Sequence, residues 1–271
     1  MNNKLDFYIP TRKNDLKTND IDKWFENSLL ELQGESLNDT EKEFLTKYYI
    51  DAGLLNSSKR KFFSHHYSRT VAMAVNNIFL YDSQPKIIDL GAGTGSQSIL
   101  FALLGAEVLA IDMDGLSLGI LEKRMAFYES LTNKKLKITI LNSNVFDIDF
   151  MKYEEFDSIY SLFSFNMMQP TSKLLPWLVG SLKENSQIII QDGNKNNWYN
   201  RLFRKRNILS KNELQNVARD LGFTTINSVA GYVMPPFLWK ALPNSILGFI
   251  DNILGLISDV LPVTYIHIFK K

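Results

Sequence analysis

From Pro85 onward, short apolar runs alternate with segments of helical periodicity, and this alternation restricts the chain to few folds. Parallel strands need long crossover connections, which in this pattern are helices. The pattern therefore predicts an α/β fold with a doubly wound, mostly parallel sheet covered on both faces. The predicted strands are Lys86–Leu90, Glu107–Asp112, 136–141, Phe156–Leu162, 187–191, 225–233 and 263–269, and the predicted helices are 95–104, 116–131, 173–182 and 210–221.

The segment before this alternation has a different pattern. Between about residues 20 and 80, apolar side chains such as Ile21, Trp24, Phe25 and Leu29 recur at helical spacing. We expect an N-terminal helical cap or lid over residues 1–84, followed by the α/β domain over residues 85–271. A helical insert over residues 234–262 is expected between the last two strands of that domain.

Composition excludes several classes of protein. The 271 residues are 45% hydrophobic and 22% charged, as in ordinary folded chains rather than disordered ones. Thirty basic against 29 acidic residues leave a formal charge of +1, so the whole chain has no general attraction for nucleic acid. Cysteine is absent, which excludes disulfides and thiolate ligands. The few histidines form no recognised metal spacing, and no metal is expected.

Two further patterns bear on location. The first residues contain no apolar run of the length that a secretory signal needs. The most apolar stretch, residues 237–262, is interrupted by charged residues and prolines, whereas a membrane-spanning helix needs about 20 mainly apolar residues. We expect a cytoplasmic protein without a transmembrane segment.

The strongest local motif is a glycine-rich bend after the first predicted strand. Gly91, Gly93 and Gly95 follow the buried run that ends at Leu90, and a helix follows them. Glycines allow positive φ and close approach of a ligand, and a helix N-terminus offers unpaired N–H groups. Asp112, at the end of the second strand, is placed to accept ribose hydroxyls. A nucleotide-like ligand is one interpretation of the bend, and a simple tight turn is the other.

The order Asp-Leu-Gly-x-Gly-x-Gly, with Asp89 two residues before Gly91, resembles the first motif of class I S-adenosylmethionine-dependent methyltransferases. The resemblance covers residues 64–221. It implies a Rossmann-like methyltransferase fold with seven strands, and S-adenosylmethionine as cofactor. The cofactor-binding residues that it implies are Tyr67, Arg69, Asp89, Gly91, Ala92, Gly93, Thr94, Gly95, Asp112, Met113, Asn144, Val145, Phe146, Ser161 and Leu162.

Two positions depart from this family pattern. Asn144 stands where the family usually has an acidic residue that faces the adenine, and Asn166 stands where many members have a histidine. The resemblance also implies that the helix before the first strand closes over the cofactor. On that helix His65 or His66 is a candidate general base, with an exposed structural helix as the alternative.

The segments after the fifth and sixth strands bear on the acceptor. Residues 193–211 are basic and include aromatic residues, which suits an anionic group or a solvated loop. Residues 244–261 form an amphipathic helix with an apolar stripe that includes Ile246, Ile253 and Ile257. Packing on its own domain is the simplest expectation for this stripe. A substrate lid, a homodimer contact and a membrane-surface helix are alternatives, although the acidic polar face argues against anionic lipid.

These patterns predict a methyltransferase acting on an O or N atom of a small or medium-sized, partly apolar acceptor, with or without an anionic group. Nucleic acid is not expected as a partner. RNA or protein methylation, and a non-catalytic cofactor-binding protein, stay open as alternatives.

Overall fold

The structure, a computed structural model, describes residues 7–11, 14–47, 62–203, 208–233, 243–258 and 260–271. The helices are α1 (Thr18–Gln33), α2 (Asp39–Leu45), a π-helix (Phe63–Ser68), α3 (Arg69–Ile78), α4 (Ser96–Leu103), α5 (Gly115–Thr132), α6 (Thr171–Leu178), α7 (Trp198–Phe203), α8 (Lys211–Asp220) and α9 (Asn244–Ile257). The strands are β1 (Lys86–Leu90), β2 (Glu107–Asp112), β3 (Ile138–Asn142), β4 (Phe156–Leu162), β5 (Leu182–Gly193), β6 (Thr224–Tyr232) and β7 (Thr264–Lys270).

The seven strands form one sheet in the order β3-β2-β1-β4-β5-β7-β6. Strands β1 to β5 pair in parallel, and β7 runs antiparallel to both of its neighbours. The predicted doubly wound, mostly parallel sheet is confirmed. Strands β1, β2 and β4 begin and end at the predicted residues, whereas β5 begins at Leu182, five residues earlier than predicted.

Helices cover both faces of the sheet, as successive residues of β1 show. Ile87 belongs to an apolar cluster with Val71 of α3 and Phe101 of α4. Ile88 points to the other face and belongs to a cluster with Leu174 of α6 and Leu214 of α8. Each of these isoleucines is fully buried, which typically stabilises the fold by about 1.5–3 kcal/mol per side chain. The sheet therefore provides a rigid base for the loops at its carboxyl edge.

The N-terminal helices pack on the first of these faces. Trp24 and Phe25 of α1 lie in the same apolar cluster as Ile87. Asp22 of α1 also accepts hydrogen bonds from Ser64 and Ser68 in the π-helix. The described helices of the predicted cap thus share a core with the sheet, and a boundary at residue 84 stays a prediction.

Helix α9, in the expected insert, has its polar side turned inward. Leu247 and Asp251 are buried, whereas Ile246, Phe249 and Ile257 are exposed. The expectation that the apolar stripe packs on its own domain is therefore wrong. Residues 234–242 and 259 of the expected insert lie outside the described residues. Within the described part of the chain, no helix combines the length and apolar character needed to cross a membrane.

Candidate cofactor and acceptor site

A cavity of about 670 Å³ opens at the carboxyl edge of the sheet, between β1, β2 and β4. A cavity of this size suits a cofactor-sized ligand. Its wall combines the glycine-rich bend with the residues that follow β2, β3 and β4. The lining residues are Phe44, Tyr67, Asp89, Gly91, Ala92, Gly93, Thr94, Gln97, Ile111, Asp112, Met113, Asp114, Ser117, Ser143, Asn144, Val145, Tyr160, Leu162, Phe163, Ser164, Met167, Met168 and Gln169.

The three glycines of the bend have positive φ of 72°, 54° and 77° at Gly91, Gly93 and Gly95, but their surroundings differ. A Cβ on Gly91 would lie 2.2 Å from the Cβ of Ser164, and one on Gly95 would lie 2.0 Å from Cδ1 of Leu121. A Cβ on Gly93 would meet nothing within 4 Å. Gly91 and Gly95 thus permit close packing of the protein on itself, whereas Gly93 presents bare backbone to the cavity.

Asp112 holds the bend in shape from the end of β2. Its Oδ2 accepts a hydrogen bond from the backbone N–H of Gly93 at 2.8 Å, and its Oδ1 accepts one from Asp114 at 2.9 Å. A carboxylate has about four lone-pair positions, so these two bonds leave acceptor capacity. Asp112 also lines the cavity, and its remaining capacity suits the hydroxyls of a ribose.

Asp89, one residue before the end of β1, lies buried at the base of the same cavity. Burial raises the pKa of this carboxyl to about 7, and the nearby Asp112 adds to the rise. A 2.5 Å hydrogen bond from Ser98 to Oδ2 opposes it. A second acidic group therefore lies below the bend in an environment that favours its protonated form.

A buried ion pair supports the bend from behind. The Nη1 of Arg124, on α5, donates to the carbonyl of Thr94 at 2.7 Å and to Oγ of Ser96 at 2.9 Å. The same guanidinium is paired with Glu31 of α1, which also accepts a hydrogen bond from Tyr128. Sequence reasoning missed these residues. Their only sequence signal is charged side chains on helix faces that are otherwise apolar.

Aromatic and sulfur-containing side chains form the side of the cavity next to β4. The rings of Tyr67 and Phe163 are nearly parallel, with centroids 6.4 Å apart. Phe163 has φ of +60°, which is rare for a bulky residue, and its N–H is held by the carbonyl of Gln191 at 2.8 Å. Strained residues of this kind cluster at functional sites. Met167 and Met168 extend this apolar wall.

The cavity brings together most of the predicted cofactor residues. Those that line it are Tyr67, Asp89, Gly91, Ala92, Gly93, Thr94, Asp112, Met113, Asn144, Val145 and Leu162. Asn144 caps a short turn, because its Oδ1 accepts a hydrogen bond from Phe146 at 3.1 Å. The remaining predicted residues are placed outside the lining. Gly95 packs on Leu121, Ser161 bonds to the carbonyl of Leu90, and Phe146 lies beside Trp177 in a separate groove.

Arg69 and the two histidines also lie outside the lining of this cavity. One Nη of Arg69 donates to the carbonyls of Ala230 and Gly231, on edge strand β6. Nε2 of His66 lies 2.9 Å from Oδ2 of Asp251 in α9. The ring of His65 faces Gly248 in the same helix, where a Cβ would lie 3.2 Å from Cε1. These three side chains contact β6 and α9.

Burial sets the charge state of these histidines. It lowers the pKa of His65 to about 4, and the charges of His66 and Arg69 add to the effect. It also lowers the pKa of His66, although the hydrogen bond and charge of Asp251 act in the opposite direction. The ring of His65 is therefore neutral at pH 7. A base role for either histidine stays a prediction.

The charges on the cavity wall are all negative. Asp89, Asp112 and Asp114 line the cavity, and none of the described lining residues is Lys, Arg or His. In the predicted basic segment, Lys195 is paired with Glu213 at 2.7 Å and Lys211 lies over the ring of Tyr265. Its residues 204–207 lie outside the described residues.

A seven-stranded sheet with one antiparallel strand, a glycine bend after β1 and an acid at the end of β2 together define a class I S-adenosylmethionine-dependent methyltransferase. Comparison with family models gives the narrower assignment. The family described as "Tellurite resistance protein TehB" matches residues 55–196, more than half of the chain, and the protein belongs to this family. S-adenosylmethionine is the cofactor of the class.

Solved structures share the fold at low sequence identity. The magnesium protoporphyrin IX methyltransferase of Synechocystis PCC 6803, with bound cofactor, is 12% identical with a TM-score of 0.56, covering 96% of this chain and all of that one. A methyltransferase from Archaeoglobus fulgidus is 16% identical with a TM-score of 0.54, covering 78% of this chain and 98% of that one. The [4+2]-cyclase SpnF is 15% identical with a TM-score of 0.53, covering 73% and 78%. No curated protein matches the sequence.

Proposed function

We propose that this protein transfers a methyl group from S-adenosylmethionine to an O or N atom of a small or medium-sized, partly apolar acceptor. The observation that carries the proposal is one cavity with two chemically different halves. The glycine bend with Asp112 forms one half, and an aromatic wall with Tyr67 and Phe163 forms the other.

The lining residues fit the cofactor. The open space over Gly93 would accept a ligand against bare backbone, and the carboxylate of Asp112 would bind the ribose hydroxyls. Asn144 and Val145 would contact the adenine, and Asp89 with Thr94 would lie toward the methionyl part. When bound, the cofactor supplies an activated methyl group on a sulfonium.

The chain's own contribution is to position the acceptor and to exclude water. Tyr67, Phe163 and Met168 offer an apolar surface on which an acceptor can be oriented. Orientation at near-attack distance is worth about 7–11 kcal/mol in favourable cases, and removal of water strengthens the electrostatic interactions within the site. The hydroxyl of Tyr67 accepts a hydrogen bond from Gln97, which fixes the ring at the cavity wall.

The charges of the lining disfavour an anionic acceptor. An anionic acceptor gains most from a cation at hydrogen-bonding distance, and the described lining contains only carboxylates as charged groups. This observation supports an acceptor such as a phenol or an amine over a carboxylate or a tellurite-like oxyanion. Because the family is described by tellurite resistance, tellurite must be tested as an alternative acceptor.

A pair of glycine variants tests the cofactor half. Gly93 and Gly222 both have positive φ, and at neither position would a Cβ meet an atom within 4 Å. Gly93→Ala and Gly222→Ala should therefore lose similar stability, but only Gly93→Ala places a methyl group in the cavity. We expect S-adenosylhomocysteine titrated by calorimetry to bind wild type and Gly222→Ala alike, and Gly93→Ala at least about tenfold more weakly. Equal affinity in the two variants would contradict the proposed site.

Labelled methyl transfer tests the acceptor half. The acceptors are pairs of compounds with the same ring, one neutral and one anionic, and tellurite is tested beside them. We expect turnover of neutral phenols or amines to exceed that of the matched carboxylates and of tellurite. Preference for an oxyanion would overturn the acceptor proposal, and cofactor binding without any turnover would favour a non-catalytic binding protein.

A further inference from the structure

The first part of the glycine bend is held by strand β2. The N–H groups of Gly91 and Ala92 both donate to the carbonyl of Ile111, at 2.8 Å and 3.0 Å. The N–H of Gly93 donates to Oδ2 of Asp112 at 2.8 Å. These contacts fix the backbone up to the glycine that faces the open cavity. The rest of the bend needs other partners.

The peptide group between Thr94 and Gly95 is held on two sides. Its N–H donates to the carbonyl of Ala92 at 2.9 Å, and its C=O accepts a hydrogen bond from Nη1 of Arg124 at 2.7 Å. Gly95 has φ of 77°, and glycine adopts positive and negative φ about equally well. Arg124 therefore stabilises one of several backbone conformations that are open to this glycine.

The same guanidinium holds the first turn of α4, which follows the bend. Its Nη1 also donates to Oγ of Ser96 at 2.9 Å, and Nε1 of Trp24 donates to the carbonyl of Ser96 at 3.3 Å. Gln97, in the same turn, lines the cavity. Side chains from α5 and α1 thus set the position of the bend and of the helix start behind it.

Glu31 fixes the direction of the guanidinium. Its two carboxylate oxygens accept hydrogen bonds from Nε and Nη2 of Arg124, at 2.5 Å and 3.1 Å. A two-point contact of this kind orients a planar guanidinium and leaves Nη1 for the bend. Tyr128 donates to the same carboxylate at 2.7 Å. We name Glu31, Arg124 and Tyr128 the buried triad, because each side chain is 2% exposed or less.

The stability of the fold does not by itself call for charges at these positions. Replacing a buried ion pair with apolar side chains of similar volume is often neutral or stabilising, because removing two charges from water offsets their attraction. An apolar side chain, however, could not donate to Thr94 and Ser96. We infer that Arg124 is a positioning residue for the cofactor, which fixes the backbone of the bend while Glu31 fixes Arg124. The inference rests on the proposed cofactor half of the cavity.

This role makes α1 a part of the unit that binds the cofactor. No residue of α1 lines the cavity. The helix acts instead through Glu31, which contacts Arg124, and through Trp24, which contacts Ser96. The first helix and the glycine bend therefore function together although more than 50 residues separate them in the sequence.

Two variants separate stability from cofactor binding. Glu31→Leu/Arg124→Met/Tyr128→Phe replaces the buried triad with apolar side chains and removes both donations to the bend. We expect its unfolding temperature to stay close to that of wild type, and its affinity for S-adenosylhomocysteine in calorimetry to fall at least about tenfold. Glu31→Gln should do the opposite, since its amide oxygen can still accept from Arg124. It should lose stability and, at a temperature where it is folded, bind within about twofold of wild type.

Two further variants serve as controls. Tyr128→Phe removes one hydrogen bond of the buried triad and no contact to the bend, so it should bind S-adenosylhomocysteine as wild type does. Arg124→Lys keeps a charge for Glu31, but a compact ammonium cannot reproduce the fork that contacts Glu31 and the bend together. Its affinity should lie between those of wild type and the apolar triple variant.

Amide hydrogen exchange without cofactor gives a second readout. In the apolar triple variant the amide of Gly95 should exchange at least about tenfold faster than in wild type, because its peptide group has lost one of two contacts. The amide of Ile88, in the middle of β1, should exchange at the wild-type rate. A general loss of stability would accelerate both amides.

Several results would overturn the inference. They are wild-type affinity in the apolar triple variant, an unchanged exchange rate at Gly95, and a tenfold loss of affinity in Tyr128→Phe. If the triple variant does not fold, wild-type affinity in Arg124→Lys has the same meaning. Failure of wild type itself to bind S-adenosylhomocysteine would overturn the proposed site together with this inference, and it is distinguishable because it involves no variant.

Discussion

The carboxylate of Glu31 and the guanidinium of Arg124 form a buried ion pair, with Oε2 2.5 Å from Nε, and the two side chains are only 1% and 2% exposed. The pair joins α1 to α5. Because Arg124 also holds the carbonyl of Thr94, it connects the N-terminal helices to the glycine bend. The shape of the cavity wall therefore depends on a residue in the first helix of the chain.

Removing one partner of this pair should be costly. Glu31→Gln keeps the volume but leaves the charge of Arg124 buried without its counter-ion, and we expect the free energy of unfolding to fall by about 3–5 kcal/mol. The adjacent pair of Lys123 and Glu41 is a matched control on the same helix, with Lys123 half exposed. Lys123→Gln should cost about 0–1 kcal/mol. Urea unfolding measures both values, and equal losses would contradict the structural role of Glu31.

Glycine variants distinguish backbone conformation from packing. Gly95→Ala must accept a positive φ and also overlap Leu121, whereas Gly222→Ala must accept only the positive φ. We expect Gly222→Ala to lose about 1–2 kcal/mol of stability and Gly95→Ala to lose about 1–3 kcal/mol more. Thermal unfolding compares them directly. If the double variant Gly95→Ala/Leu121→Ala loses less stability than the sum of the two single losses, the overlap is the cause.

The raised pKa of Asp89 predicts a pH dependence of stability. Between the ordinary pKa of 3.8 and the folded value of about 7, the folded state holds a proton that the unfolded state has lost. This term therefore lowers the free energy of unfolding as pH rises from about 4 to about 7, and it is constant above that range. Asp89→Asn should remove the term.

The measurement is the difference in stability between wild type and Asp89→Asn at each pH, because buried histidines oppose the effect. Burial lowers the pKa of His65 to about 4 and of His267 to about 3. The contribution of each histidine to the free energy of unfolding therefore falls as pH drops below about 6.5. The free energy of unfolding of wild type should decrease relative to that of Asp89→Asn as pH rises to 7. A difference independent of pH would show that the pKa of Asp89 is the same in the folded and unfolded states.

Asp251 tests how α9 is attached. Asp251→Ala removes the acceptor for the N–H of Val233 and the partner of His66, and we expect a loss of about 1–3 kcal/mol. Asp251→Asn keeps an acceptor for Val233 and should lose less. Faster hydrogen exchange within α9 should accompany the loss in the alanine variant. Wild-type stability in that variant would assign the attachment of α9 to other contacts.

Much of the fold could be predicted from the chain because β1, β2 and β4 are buried on both faces. Such strands are continuous apolar runs with clear ends, and their bounds agree with the prediction. The start of β5 was predicted too late, because Leu182 pairs with Phe156 across an irregular register that no periodicity reveals. The site at the ends of β1 and β2 was predictable because its motif is local.

Contacts between distant residues could not be predicted in this way. Helical periodicity separates the two sides of α9, but the direction in which each side points depends on His66, which lies far away in sequence. The π-helix that carries His65, His66 and Tyr67 also changes the spacing of side chains from that of an α-helix. Tyr67 lines the cavity, whereas His65 and His66 contact α9.

The guanidinium of Arg69 also pairs with the edge strand of the sheet. Strand β6 ends the sheet, and the carbonyls of Ala230 and Gly231 lie where its pairing with β7 is irregular. Open strand edges accept strands from other chains and lead to aggregation. By donating to both carbonyls, Arg69 pairs two of the backbone acceptors at this irregular point of the strand. These two carbonyls are therefore not open to a strand from another molecule.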